Sequence, residues 1–241
     1  MQENKMAMTE NVKKSIKMIR YLLNRPKMEM VGLGLLYGAP GLGKSRFAKR
    51  FAIQNNFMYI RLESTTTAKS FADDLYELLC RKYNFSPLKI GSKSSNYVFN
   101  LCKEILNDAQ DPVIFVDEID YAFTYAGKQL LGSIRDLVDE TLAVILLVGM
   151  QDAKKQLLRA NAHYFDRCNY FVQYKKLNLK DVQTVVDEIA EIELDKATVK
   201  QIYTTTQGTL RKVIKLLHAI EQIARSRGKK QIEYKDIKGI L

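Results

Sequence analysis

The sequence predicts an α/β protein, a doubly wound parallel sheet followed by a small all-helical domain. Three observations predict it. Short apolar runs alternate with segments of helical period as far as about Leu177, helices follow one another without strands from Asn178 onward, and a glycine-rich stretch links the first strand to the next helix. At 241 residues, with 46% hydrophobic and 27% charged side chains, the chain is long enough for one globular domain with an appendage. A disordered tail protein is excluded as a class.

The first element is a helix over residues 9–24, where Val12, Ile16, Ile19 and Leu23 recur at three- and four-residue spacing and Lys13, Lys14, Lys17 and Arg20 lie elsewhere around it. Arg25 before Pro26 ends it, because the residue before a proline is disfavoured in the helical region. Residues 1–26 are therefore taken as an N-terminal basic helix. A short apolar strand at 31–37 runs into Gly38, and helical period resumes at Phe47, Ala48, Phe51 and Ala52. Next come a strand at 57–61, a helix around Phe71, Leu75, Leu78 and Leu79, a polar connector at 86–95, and a helix through Val98, Leu101, Ile105 and Leu106. Asp111 and Pro112 open a strand at 113–116 that is apolar on both faces, as a central parallel strand should be. It ends at Asp117 and Glu118. A helix near Leu130, Ile134, Leu137 and Val138, a strand at 142–148 and a β-prone run at 170–174 complete an α/β unit assigned to residues 27–177. The helical unit, residues 178–241, contains one helix with Val182, Val185, Val186 and Ile189, a second with Val199, Ile202 and Tyr203, and a third running from Leu210 to Ile223.

Thirty-eight Lys and Arg against 27 Asp and Glu leave a formal charge of +11, which makes nucleic acid the first partner to consider. Two His and three well-separated Cys (Cys80, Cys102, Cys168) supply neither a disulfide framework nor zinc-ligand spacing, so reduced core thiols are expected. The longest pure apolar run, 142–148, falls far short of the roughly 20 residues that cross a bilayer. The N-terminus shows no signal-peptide pattern, so the expected location is cytoplasmic, with no membrane partner.

Gly38, Ala39, Pro40, Gly41, Leu42, Gly43, Lys44 and Ser45 form the G-x-x-x-x-G-K-S spacing of a P-loop, with Arg46 just inside the following helix. Glycines let backbone N–H groups turn inward around phosphate oxygens, and the helix behind them presents its positive dipole end. Lys44 then supplies charge to the β- and γ-phosphates of ATP, and the Ser45 hydroxyl is a ligand for Mg²⁺. The strand ending in Asp117 and Glu118 brings two carboxylates to the C-terminal edge of the sheet, where open α/β sheets bind ligands. Asp117 orients Mg²⁺ through its water shell, and Glu118 polarises the attacking water.

With those motifs, Asp120 two residues after Glu118, and Gly208, Thr209, Leu210 and Arg211 leading into the last long helix, residues 22–241 resemble an AAA+ ATPase. The resemblance implies a P-loop NTPase core with a helical lid. In that family a polar residue after the fourth strand senses the γ-phosphate, an arginine near the subunit edge reaches a neighbour's nucleotide, and a lid arginine touches the bound phosphates. Gln151 is the nearest polar residue after the strand. Arg167, in Phe165, Asp166, Arg167, looks like the arginine finger, with Arg159 as a fallback, and Arg211 resembles the lid arginine. Such a protein is a Mg²⁺-dependent ATP hydrolase that forms homo-oligomers, rings or helical filaments, with ATP at subunit interfaces.

The compact build is similar to the DNA-transposition ATPases, which include the B protein of Mu-like transposing bacteriophages and the target-selecting ATPases of related transposons. That implies assembly on double-stranded DNA without strong sequence choice, delivery of target DNA to a transposase or its stimulation, and a bacterial or phage source. No carboxylate constellation for strand transfer is apparent beyond Asp117, Glu118 and Asp120, so chemistry on DNA is expected of a partner. Candidate DNA contacts are the lid-helix face with Arg211, Lys215, His218, Gln222 and Arg225, its extension Arg227, Lys229 and Lys230, the loop 61–70 with Lys69, and the basic segment 87–95. Two alternatives use the same nucleotide site: a replication-initiator or helicase-loader ATPase, which normally adds a sequence-reading domain not found here, and a nucleotide-switched scaffold for a protein partner.

Overall fold

The computed structural model describes residues 5–89, 92–124, 127–160 and 162–237. Residues 1–4 of the N-terminal unit, 90–91 of the basic connector and 238–241 of the lid lie outside the described residues. In chain order the α/β unit contains α1 (Glu10–Leu23), β1 (Gly32–Gly38), α2 (Lys44–Gln54), β2 (Met58–Arg61), α3 (Ala68–Tyr83), α4 (Ser95–Asp108) and β3 (Val113–Asp117). A 3₁₀ turn (Ile119–Phe123) follows, then α5 (Lys128–Glu140), β4 (Val144–Gly149), α6 (Ala153–Ala160), α7 (Ala162–Arg167) and β5 (Cys168–Tyr174). The lid adds α8 (Leu179–Ile189), β6 (Glu193–Leu194), α9 (Lys196–Thr206), α10 (Leu210–Ser226), β7 (Gln231–Ile232) and α11 (Tyr234–Ile237).

The five long strands form one parallel sheet in the order β2-β3-β4-β1-β5. Alternation along the strands divides its side chains between two cores. Leu35, Ile114, Val116, Ile145 and Leu147 pack with α3, α4 and α5 on one face. Leu36, Val113, Phe115, Leu146 and Val148 pack with α1 and α2 on the other. Helices cover both faces, which is why β3 and β4 are buried at every position. The three cysteines are free and buried.

Met18, Ile19 and Leu22 of α1 are at most 2% exposed and share a core with Leu36, Phe47 and Val172, so α1 packs as a layer of the α/β unit. The buried Arg25 guanidinium fastens its end by donating to the carbonyls of Leu22 (2.8 Å), Met30 (2.8 Å) and Leu142 (2.9 Å). The lid has its own core of Val182, Val185, Val199, Ile202, Val213 and Leu217. The expectation of an all-helical lid is corrected in one detail: β6 and β7 pair in parallel over two residues each, too short a span for any strand pattern to register in sequence.

Candidate nucleotide site

The site sits at the C-terminal edge of the sheet. β1 ends at Gly38, and Gly41 (φ +79°) and Gly43 (φ +95°) take left-handed conformations that let the loop curl before α2 starts at Lys44. A Cβ on Gly43 would stand 2.5 Å from Leu210 Cδ2, so the lid closes directly on the loop. Arg211 adds a second tie, its backbone N–H donating to the Gly41 carbonyl at 2.9 Å. The buried Lys44 ammonium donates to the carbonyls of Gly38 (2.7 Å) and Ala39 (3.0 Å). Burial draws its pKa below the usual lysine value, while Asp117, Asp120 and Glu118 oppose that shift.

Asp117 is the hub of the opposite wall. Its Oδ1 accepts from Ser45 Oγ (3.2 Å) and from the Glu118 backbone N–H (2.9 Å), and its Oδ2 accepts from the Tyr59 hydroxyl at 2.6 Å. Burial, then the bond to Asp117, pushes the Tyr59 pKa well up, so this hydroxyl stays a donor. Glu118 has φ +57°, a left-handed conformation uncommon outside glycine that turns the chain out of the strand. Its Oε1 meets Arg61 at 3.3 Å, across the β2–β3 register in which Arg61 faces Asp117. Asp120 Oδ2 accepts from the Met150 backbone N–H at 2.7 Å and ties the end of β4 to the 3₁₀ turn, and burial raises its pKa.

Between these walls lies a cleft of about 500 Å³, within the usual range for small-molecule sites. The glycine cradle and buried ammonium suit a polyphosphate. Ser45 Oγ and Asp117 Oδ1 form a hard oxygen pair suited to Mg²⁺, an ion that takes few protein ligands when phosphates supply the rest. No cluster of three or more His, Cys, Asp or Glu side chains placed to hold a metal ion occurs among the described residues.

A family model described as AAA domain matches residues 29–157, just over half the chain. The chain belongs to the AAA+ ATPase family. The proteasome-activating nucleotidase of Methanococcus maripaludis (strain C7) is 32% identical over 113 residues, which are 46% of this chain and 22% of that protein. The chain therefore spans under a quarter of the length of the curated relatives it matches. Three solved structures share the fold. The Aeropyrum pernix ORC2 protein in ADPNP–ADP complexes has TM-score 0.68 and 13% identity over 99% of this chain and 69% of that one. The Aeropyrum pernix ORC1 protein in complex with DNA gives 0.64 and 17% over 98% and 65%. A point mutant of Thermotoga maritima RuvB gives 0.62 and 18% over 96% and 69%.

In this AAA+ chain the cleft brings together Pro40, Gly41, Gly43, Lys44, Ser45, Arg46, Asp117, Glu118 and Arg211 from the residues singled out in sequence. Leu42 turns inward to an apolar crevice shared with Met6, Ala7, Val185, Ile189 and Ile214, and Ala39 packs against the core on the α2 side. Gln151 is exposed in the turn after β4, and Gly149 and Met150 line the cleft in its place. Arg167 ends α7, paired at 2.5 Å with Asp139 and outside the cleft lining, and Arg159 is exposed on α6. Among the other basic candidates, Arg225 pairs with Glu191 (2.8 Å), Lys229 with Asp236 (2.7 Å) and Lys69 with Asp73, while Arg211 and Lys215 face the cleft. Sequence reading missed Tyr59, whose role exists only because β2 pairs with β3.

Proposed function

We propose that this chain is a Mg²⁺-dependent ATP hydrolase that binds duplex DNA under nucleotide control. The observation that carries the hydrolase reading is the Ser45–Asp117 oxygen pair at the mouth of the glycine cradle, with Glu118 beside it and Arg211 on the lid above. The loop amides and Lys44 hold the phosphates, and Arg211 reads their presence from the lid. Mg²⁺, when bound, neutralises phosphate charge during transfer. The Glu118 carboxylate orients the attacking water and accepts its proton, and the contact with Arg61 restrains it until the site is engaged. The base enters the apolar crevice between the N-terminal segment and the lid. That crevice holds about 40 Å³ of free space, so the segment at Met6 and Ala7 must move outward for it.

Arg167, outside its own cleft, serves a neighbouring copy's nucleotide, which makes the working form a homo-oligomer with ATP at subunit interfaces and requires Arg167 to exchange Asp139 for a phosphate. Gln151 reaches the γ-phosphate after a rotation of its turn. The resemblance to transposition ATPases supports the fuller reading, in which the ATP-bound assembly delivers target DNA to a transposase in the cytoplasm. The fold likeness to ORC1 in complex with DNA favours a second reading, an initiator- or loader-type ATPase. ATP turnover measured with and without random-sequence duplex tests the common part. DNA-stimulated turnover that Glu118→Gln abolishes while retaining ATP binding supports it. Turnover indifferent to both duplex and Glu118 would overturn it.

A further inference from the structure

Of the cations offered for DNA, Arg225, Lys229 and Lys69 are held in ion pairs and Arg211 and Lys215 face the cleft. The outer face of α1 differs. Lys13, Lys14, Lys17, Arg20 and Tyr21 fall within an arc of about 120° on the helix, and all are exposed. Among the described residues Lys14, Lys17 and Arg20 have no ion pair, and Lys13 has only a 4.0 Å contact with Glu10. The ridge continues beyond the helix. The Asn11 amide donates to the Lys175 carbonyl (2.8 Å) and accepts from the Lys175 N–H (3.1 Å), which fixes the exposed Lys175 beside the start of α1.

The shape of this ridge selects the partner. Met18, Ile19 and Leu22 are buried in the core, so α1 has no apolar face to insert into a bilayer, and what it presents outward is charge with one aromatic hydroxyl. Lys13 to Arg20 covers about 10 Å of helix axis, matching about three phosphates at 3.4 Å per strand. Buried anchorage at Arg25 and Asn11 holds the charges in place before binding, which lowers the ordering cost of contact. We infer that the outer face of α1, with Lys175 beside its start, receives the phosphate backbone of duplex DNA. The inference rests on the DNA-binding reading above and specifies its surface.

The test is fluorescence anisotropy of the full chain with ATP on a labelled random-sequence duplex across a salt series. The variants are wild type, the triple variant Lys14→Gln, Lys17→Gln, Arg20→Gln, and the lid variant Lys229→Gln, Lys230→Gln. The triple variant is expected to reduce the slope of log affinity against log salt by about 3 and to bind at least tenfold more weakly at about 0.1 M salt. Its thermal midpoint and ATP affinity should match wild type, and the lid variant should bind DNA like wild type. Wild-type binding with an unchanged slope in the triple variant overturns this surface and leaves the DNA reading standing. Wild type that binds no duplex in any nucleotide state overturns both. Poly-glutamate competing as well as duplex, charge for charge, would assign the ridge to an acidic protein instead.

Discussion

Gly208 is where the lid is most sensitive to a single added carbon. Its φ is +68°, and a Cβ there would lie 2.0 Å from the Leu177 carbonyl oxygen, a backbone atom that no rotamer change can move. The residue also accepts a hydrogen bond from the Leu177 N–H at 2.8 Å, so the turn before α10 is clasped to the end of the α/β unit. For Gly208→Ala the left-handed backbone costs about 1–2 kcal/mol and loss of the clasp about 1 kcal/mol, giving roughly 2–3 kcal/mol before any repacking. Arg211 lies three residues further on and moves with the turn, so ATP affinity should fall along with stability. Urea unfolding and ATP titration of Gly208→Ala and Gly208→Asn give the two readouts. Asparagine tolerates the left-handed region but keeps the Cβ, so it should recover only part of the loss. A Gly208→Ala variant within about 0.5 kcal/mol of wild type, with unchanged ATP affinity, would refute the reasoning.

Three further outcomes are expected. Tyr59→Phe removes a donor to a carboxylate, a bond worth about 1.5–3 kcal/mol, and should raise the Mg²⁺ concentration needed for turnover roughly tenfold while leaving Mg²⁺-free ATP binding unchanged. Arg61→Ala frees Glu118 from a partly exposed pair worth at most about 1 kcal/mol, so DNA-independent turnover should rise by up to about fivefold, and a fall would count against Arg61 as a restraint. Burial raises the Asp120 pKa, so its contribution to stability is full below the ordinary carboxylate pKa and is lost as pH rises through the raised folded value. Asp120→Asn keeps an acceptor for the Met150 N–H and lacks that loss. Thermal midpoints should therefore favour the variant at pH 7 and converge with wild type near pH 4, and a variant less stable at pH 7 would contradict this account.

The strand-helix alternation and the phosphate loop were legible because each is a local pattern: period 2 or 3.6 in the apolar residues, and glycines at fixed offsets. Lys44, Ser45 and Asp117 meet where the motifs place them. Tyr59 and Arg61 were not recognisable as neighbours of Asp117 and Glu118, because the β2–β3 pairing brings together residues 58 and 57 positions apart in the chain. The apolar stripe of α1 was plain, but its packing against β5 depends on a strand about 150 residues later. Arg25 read as a helix stop and is also a buried clamp on Leu142. The basic lid face was visible as spacing, yet its ion pairs with Glu191 and Asp236 arise from lid folding. Helices α6 and α7 and the β6–β7 pair are too short for periodicity to register.

The most direct measurement of the central claim is anisotropy of a labelled random-sequence duplex with wild type plus ATP, wild type plus ADP, and Lys44→Ala plus ATP. The account predicts tight, salt-sensitive binding in the first case and weak binding in the other two, because Lys44 holds the phosphates at which neighbouring copies assemble and so align their α1 ridges on one duplex. Equal binding in all three would separate DNA from the nucleotide cleft and contradict the account.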